Sequence, residues 1–156
     1  MNAGGAFDGS AFAVPDPAFA ERVHAIFEAQ ALMRTLGATL LHVAPGDVGI
    51  GFDFNADFTQ QNGFLHAGVT ATLVDTACGM AATTLMPAGA DVLSVEFKVN
   101  LLRPAAGARF VAHGRVIKPG QTLMVTHGDL WAFPHATSTD SDRVHVATMQ
   151  ATMIRR

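Results

Sequence analysis

The sequence is short of cysteine, of charge and of long hydrophobic runs, and each shortage excludes something. One cysteine, Cys78, cannot form an intramolecular disulfide and fits a reducing compartment, so we expect a cytoplasmic protein. Charged residues make up 15% of the chain and the ten Lys and Arg form no run, which argues against nucleic acid as a partner. No apolar stretch reaches the roughly 18 residues that a membrane span needs, so we expect no membrane partner.

Hydrophobic residues are abundant, at 49% of 156 residues, enough for one sizeable core. Residues 1–16 carry no basic leader, do not resemble a signal peptide, and are expected to form a flexible arm. A single domain at residues 17–156 follows. The apolar surplus is expected in its core and in a subunit interface.

The first half of this domain has helical and turn signals. An amphipathic helix is predicted after Pro17 and closes on Gly37, which suits a C-cap. Its apolar positions at helical spacing are Val23, Ile26, Phe27 and Ala31. Two short strands, 38–43 and 47–54, flank an Ala-Pro-Gly turn and predict a hairpin. Residues 66–86 lack proline and are apolar over most of the helix circumference, which indicates a buried central helix.

The second half reads as strands. From Leu93 to Leu101 the odd positions are apolar and the even positions polar, the period-two pattern of a half-buried strand. Further strands are predicted at 109–117, 121–133 and 143–154, joined by short links. One buried helix and a run of long antiparallel strands give an α+β fold in which the sheet wraps the helix.

Asp75 lies in the middle of the predicted central helix. Burying an isolated carboxylate is costly unless it is paired, hydrogen-bonded or protonated, so the residue is a candidate catalytic acid. Its spacing alone leaves a second interpretation open, in which Asp75 faces a thin solvated strip or bonds Thr72, Thr76 or a neighbouring backbone group.

Residues 60–68, a polar loop, lead into the start of this helix. The first N–H groups of a helix have no intrahelical partner and lie at its positive end, which suits a developing oxyanion, although such a loop is also an ordinary connection and cap. Donors at Ala67 or Gly68 would lie roughly 10–12 Å from Asp75 at 1.5 Å per residue. A shared site then requires two antiparallel helices from an isologous dimer.

Other chemistries have weaker support. The seven histidines show no HExxH or paired metal spacing, and Cys78 has no basic neighbour in sequence to lower its pKa, so we predict neither a metal site nor a thiol nucleophile. Gly49-Ile50-Gly51 leads into a strand and lacks the strand-to-helix context of a dinucleotide-binding loop.

Three segments together resemble the hotdog-fold acyl-CoA thioesterases of the phenylacetate-degradation (PaaI-like) type: NGFLHAGVTATLVDTACGMAA, LSVEFKVNLLRPA and VIKPGQTLMVTHGDLWA. The resemblance spans roughly residues 38–154. That family reads Asn-x-x-Gly-x-x-His-Gly-Gly before a helix with an acid nine residues after the histidine, and His66 and Asp75 keep this spacing. The resemblance implies a hotdog fold and hydrolysis of acyl-CoA at a dimer interface, in dimers that commonly pair into tetramers. It implies no cofactor, since coenzyme A arrives with the substrate.

The resemblance also implies residue roles. Asp75 would be the general base or nucleophile, the Ala67 N–H the oxyanion donor beside Gly68, and Gln60 a positioning group. Ala67 stands where the family usually has glycine, yet alanine keeps the N–H. The remaining residues that we assign to the site on this resemblance are His66 as a loop brace, Ser94 to orient water, Asn62 and Phe64 beside the substrate, and Arg103, Arg115 and Lys118 as candidates for the phosphates of coenzyme A.

Three alternatives remain at this point. A hotdog hydratase or dehydratase would share proton transfer between His66 and Asp75 across the interface. A non-catalytic acyl-CoA binding module would retain the fold without the chemistry. A structural dimerisation domain would leave the polar loop and the buried acid unexplained. The acyl group cannot be read from the chain, since Phe64 and Phe97 suit either an acyl pocket or a core.

Overall fold

The computed structural model describes residues 12–156. Its α-helices and β-strands are α1 (Phe19–Ala29), α2 (Ala31–Leu36), β1 (Thr39–Ala44), β2 (Asp47–Asp53), α3 (Ala67–Thr83), β3 (Val92–Leu101), β4 (Arg109–Lys118), β5 (Leu123–Phe133) and β6 (Val144–Arg155). The six strands form one antiparallel sheet in the order β1-β2-β4-β5-β6-β3. This agrees with the predicted α+β arrangement. Within residues 12–156, no helix is long and apolar enough to cross a membrane.

Helix α3 packs across one face of the sheet and is largely buried, as its all-round apolar sequence predicts. Two glycines make this close packing possible. Gly114 of β4 and Gly128 of β5 are paired across the two strands beneath the helix. A Cβ at Gly114 would overlap the backbone of Ala77 and Cys78, and one at Gly128 would lie 2.8 Å from the Cys78 Sγ. The helix therefore rests directly on the sheet backbone.

We expect Gly114→Ala to lower the free energy of unfolding by roughly 1–3 kcal/mol or more, because the added methyl meets helix backbone, which cannot rotate away. Gly79→Ala in α3 is the matched control, since its Cβ would meet nothing within 4 Å. Alanine also has the higher helix propensity, so this control should be neutral or stabilising. Urea unfolding of both variants measures the difference, and an equally stable Gly114→Ala would contradict the packing described here.

The predicted N-terminal helix is two helices. Gln30, at φ −72° and ψ 107°, is extended and separates α1 from α2. Val23 and Phe27 are buried on α1 as predicted, whereas Ala31 is exposed. The break has a packing reason. If α1 continued unbroken, Met33 and Leu36 would lie off its apolar stripe, whereas the changed direction of α2 buries both side chains. Gly37 ends α2 in the left-handed conformation expected of a C-cap.

Arg22 of α1 anchors the C-terminal end of α3. Its guanidinium donates to the carbonyl oxygens of Thr83 (3.0 Å), Met86 (2.7 Å) and Ala90 (3.2 Å) and to the Asp16 carboxylate (2.8 Å). A cation at a helix C-terminus is favoured by the helix dipole. The predicted arm, residues 1–16, lies mostly outside the described residues and stays a prediction. At its end, Asp16 is buried by the contact with Arg22.

Strand β3 forms one edge of the sheet and pairs with β6 alone among the described strands. The period-two pattern correctly predicts a strand. The predicted half-burial is not seen in the single chain, where Leu93, Val95, Phe97 and Leu101 are each about half exposed. An apolar edge strand left open favours pairing with another chain.

Candidate active site

The loop before α3 is a compact turn. The Gln60 N–H donates to the Phe64 carbonyl oxygen and the Gly63 N–H donates to the Gln60 carbonyl oxygen, each at 2.9 Å. The Gln60 side-chain oxygen accepts from the Asn62 N–H. The Leu65 N–H donates to the Ala105 carbonyl oxygen at 3.1 Å, which ties the loop to the segment after β3. These bonds fix the position at which α3 begins.

His66 is the N-cap of α3. Its Nδ1 accepts from the Gly68 N–H at 2.9 Å, and its carbonyl oxygen accepts from Val69 and Thr70. The Gly68 N–H is thus already committed to the cap. The Ala67 N–H has no acceptor among residues 12–156, so in the first turn of α3 it is the donor left available to a ligand.

Ala67 lines a cleft of about 440 Å³. The cleft brings together four of the residues assigned to the site from the sequence: Gln60, Phe64, Ala67 and Arg103. The Arg103 guanidinium donates to the His145 carbonyl oxygen at 3.0 Å, which holds it at the rim. Sequence reasoning missed the rest of the lining, namely Leu65, Thr70, Leu101, Leu102, Pro104, Ala105 and Val146. The Leu-Leu-Arg-Pro run at the end of β3 was the available signal.

Asp75 lies two turns further along α3 and is half-buried. The Ser94 hydroxyl of β3 donates to its Oδ1 at 2.7 Å. Burial raises the pKa of the Asp75 carboxyl above its ordinary value, and the hydrogen bond from Ser94 offsets part of that effect. The structure thus pairs the predicted acid with the predicted strand hydroxyl.

A β-bulge aims Ser94 at the helix. Ser94 is opposite Met153 and Glu96 is opposite Thr152, so Val95 is the extra residue. Residues paired across two strands direct their side chains to the same face of the sheet, and consecutive residues of one strand direct theirs to opposite faces. Met153 and Thr152 are consecutive on β6, so their partners Ser94 and Glu96 lie on opposite faces. The strict alternation read from the sequence, with both on one face, is therefore wrong at this point. The bulge places the hydroxyl against Asp75.

Ala67 and Asp75 lie at different places in one chain. Eight residues of helix separate them, or roughly 12 Å at 1.5 Å per residue. The cleft includes Ala67 and excludes Asp75. A single substrate carbonyl cannot contact both groups of the same copy.

Comparison with known proteins decides the family. The profile of the thioesterase superfamily matches residues 62–138. Acyl-coenzyme A thioesterase 13 of Homo sapiens is 37% identical over 112 residues, which cover 70% of this chain and 79% of that protein. A thioesterase family protein from Silicibacter pomeroyi is 44% identical and superposes with a TM-score of 0.82 over 88% of this chain and 97% of that one.

The chain belongs to the thioesterase superfamily. The resemblance read from its sequence is confirmed, and so is its assignment as a thioester hydrolase. The PaaI protein of E. coli, from the phenylacetic acid degradation operon, shares the fold with a TM-score of 0.77 at 18% identity, covering 91% of this chain and 96% of that one. The predicted hotdog fold is likewise confirmed.

Two of the basic residues expected to meet phosphate lie away from the cleft of this thioesterase. Arg115 is on the sheet face opposite α3 and contacts the Asp129 carboxylate at 3.3 Å. Strand β4 begins at Arg109 and ends at Lys118, which is exposed. Arg103 follows β3 at the edge of the sheet where β4 begins, so Lys118 lies at the opposite edge. A basic residue's position near a strand end in the sequence does not specify on which face or at which edge of the sheet its side chain lies. Arg103 alone of the three lines the cleft.

Cys78 of the thioesterase is fully buried between α3 and the sheet. Burial raises the pKa of its thiol to about 12, so the thiolate is essentially absent near neutral pH. This agrees with the expectation that Cys78 is not a nucleophile.

Proposed function

We propose that the protein hydrolyses acyl-CoA thioesters, with the Ala67 N–H polarising the thioester carbonyl and Asp75 of a second copy activating water or attacking as nucleophile. The observation that carries the proposal is the uncommitted N–H of Ala67, a residue that lines an apolar cleft at the positive end of α3. The name of the human relative, acyl-coenzyme A thioesterase 13, supports coenzyme A as the thiol component.

The cleft supports this substrate class. Its volume of about 440 Å³ is within the range of pockets for small molecules, and its lining is mainly apolar, which suits an acyl or pantetheine chain. Arg103 at the rim offers a planar guanidinium for phosphate, while Gln60 lines the wall close to Ala67. Both stand as proposed substrate contacts.

A homodimer completes the proposed site. The donor and the acid are too far apart in one copy, and an antiparallel second copy would bring its Asp75 to the Ala67 N–H. The exposed apolar residues of the β3 edge are the surface such a copy would cover, beside the Ser94 that contacts Asp75. Each dimer would then contain two equivalent sites.

The hydratase alternative has less support. His66 accepts a hydrogen bond at Nδ1 from the Gly68 N–H, so that nitrogen is committed to the helix cap. A role as proton donor to substrate would fall on its other ring nitrogen alone. Thioester hydrolysis requires no proton chemistry of His66, and the cap serves to hold the oxyanion donor.

Release of free coenzyme A from aryl, short-chain and long-chain acyl-CoAs, followed with a thiol reagent, tests this proposal. The buried Cys78 should contribute little background to the assay. Cleavage of at least one class identifies the activity and its acyl preference. A folded protein that binds acyl-CoAs and cleaves none of them would contradict the proposal and favour the binding module. Hydration of an enoyl-CoA without coenzyme A release would favour the hydratase.

We expect Ser94→Ala to move the acid limb of the kcat/KM profile to higher pH. The Ser94 hydroxyl stabilises the ionised form of Asp75, so its loss raises the pKa of Asp75 further. Both proposed roles of Asp75 require the ionised carboxylate, hence activity would be lost at a higher pH than in the wild type. Ser94→Thr keeps the hydroxyl and is the control. An unchanged acid limb in Ser94→Ala would show that this bond does not tune the catalytic acid.

A further inference from the structure

A second cluster of chemical groups lies on the sheet face opposite α3, away from the cleft. The Nε2 atom of His113 on β4 lies 2.8 Å and 2.9 Å from the two carboxylate oxygens of Asp47 on β2. The Nε2 of His42 on β1 contacts the same carboxylate. One ligand atom from each of the three residues lies within 4.8 Å of the others. Three adjacent strands therefore direct two imidazoles and one carboxylate to a common point.

Gly49 makes this convergence possible. It is paired with His42 on one side and His113 on the other, so it stands between the two histidines in the sheet. A Cβ at Gly49 would overlap the His42 ring. Without that Cβ the ring lies over the β2 backbone, and the two imidazoles meet edge to face at 5.5 Å between centroids.

Within residues 12–156, the side-chain partners of the Asp47 carboxylate are His42 and His113. Arg115 is opposite Asp47 in the β2–β4 register, but its guanidinium contacts Asp129. The Asp47 carboxylate therefore faces the two imidazoles and is not paired with Arg115.

We propose that His42, Asp47 and His113 form a binding site for a divalent transition metal ion of the zinc type. Two imidazole nitrogens and a carboxylate oxygen are a usual protein ligand set for zinc, with bonds of about 2.0–2.2 Å and a fourth position open to water. An ion would take the place of the hydrogen bonds between the imidazoles and Asp47, and the three ligand atoms would move apart to surround it. His42 is about half exposed, which gives the ion access from solvent.

The site would fasten the β1–β2 hairpin to the centre of the sheet. β1 is an edge strand and pairs with β2 alone among the described strands, so a bond from His42 through the ion to His113 of β4 adds a link across β2. The linear sequence hides this ligand set because positions 42, 47 and 113 have no recognisable spacing, and strand register alone brings them together.

Isothermal titration of metal-free protein with ZnCl2 tests the site. We expect one ion per chain with a dissociation constant below about 10 µM and a rise in the thermal midpoint on binding. Asp47→Asn, nearly isosteric, and His113→Ala should each weaken binding by at least about 100-fold. Gly49→Ala keeps all three ligands but displaces the His42 ring, so it should also weaken binding.

His145→Ala is the matched control, since His145 is a half-buried histidine on the same face that contacts Asp129 at 2.8 Å. It should bind zinc as the wild type does. Wild-type protein that fails to bind at this affinity would overturn the proposal. Binding that survives in both Asp47→Asn and His113→Ala would also overturn it, as an adventitious surface site. Circular dichroism confirms that each variant is folded, and because the readout is metal binding, the result does not depend on thioesterase activity.

Discussion

Asp75→Asn is expected to lower kcat on every cleaved acyl-CoA by about 10²–10⁴-fold, with KM little changed. The amide occupies the same space and can still accept from Ser94, so the contacts seen in the structure are largely retained. It cannot take a proton from water or attack the carbonyl. The loss therefore falls on the transition state, and steady-state kinetics of coenzyme A release measure it.

The same variant should fold at least as well as the wild type. Because burial raises the pKa of Asp75 in the folded state, the folded chain binds the proton more tightly than the unfolded chain. Stability is then lost as pH rises from the unfolded pKa through the folded pKa, and at neutral pH the ionised carboxylate is a cost that the amide lacks. An Asp75→Asn protein with wild-type turnover would refute the catalytic role, whatever its stability.

Ala67→Pro is expected to lower kcat by about 10²–10³-fold, the usual loss when one oxyanion donor is removed. Ala67 is the first residue of α3, the position at which proline is best tolerated in a helix. His66 before it is extended, at φ −63° and ψ 139°, a conformation that suits a residue preceding proline. The substitution thus deletes the N–H proposed to bind the carbonyl and retains the helix.

Ala67→Pro also adds the volume of the proline ring, so a control must separate the effect of that volume from the loss of the N–H. Ala67→Val adds a similar volume at the cleft wall and keeps the N–H. We expect a smaller loss of kcat in Ala67→Val than in Ala67→Pro, with both folded by circular dichroism. Equal losses in the two variants would show that space at Ala67 matters rather than the hydrogen bond.

The fold was largely predictable because its signals are local. The apolar run around α3, the hairpin turn at Pro45 and Gly46, and the long strands after Arg109 all follow from periodicity and turn residues. The break at Gln30 was not predictable, since nothing in Ala29-Gln30-Ala31 disfavours a helix. The burial of Met33 and Leu36 causes it, and that is a tertiary effect.

The candidate site was predictable where a motif carried it. His66 caps α3 while Ala67 and Asp75 lie on it, and the spacing of the three fixes their relation along the helix axis. The contact between Ser94 and Asp75 depends on the bulge at Val95, which the alternation conceals. Which basic residue reaches the cleft depends on strand register and face, so Arg103 could not be separated from Arg115 by sequence.

Activity of mixed dimers tests most directly the claim that one copy supplies the donor and the other the acid. Asp75→Asn and Ala67→Pro chains, each nearly inactive as homodimers, would be coexpressed with different tags and purified through both. One of the two sites in a mixed dimer combines an intact Ala67 N–H with an intact Asp75, so we predict about half of the wild-type kcat. Mixed dimers as inactive as their parents would contradict the account.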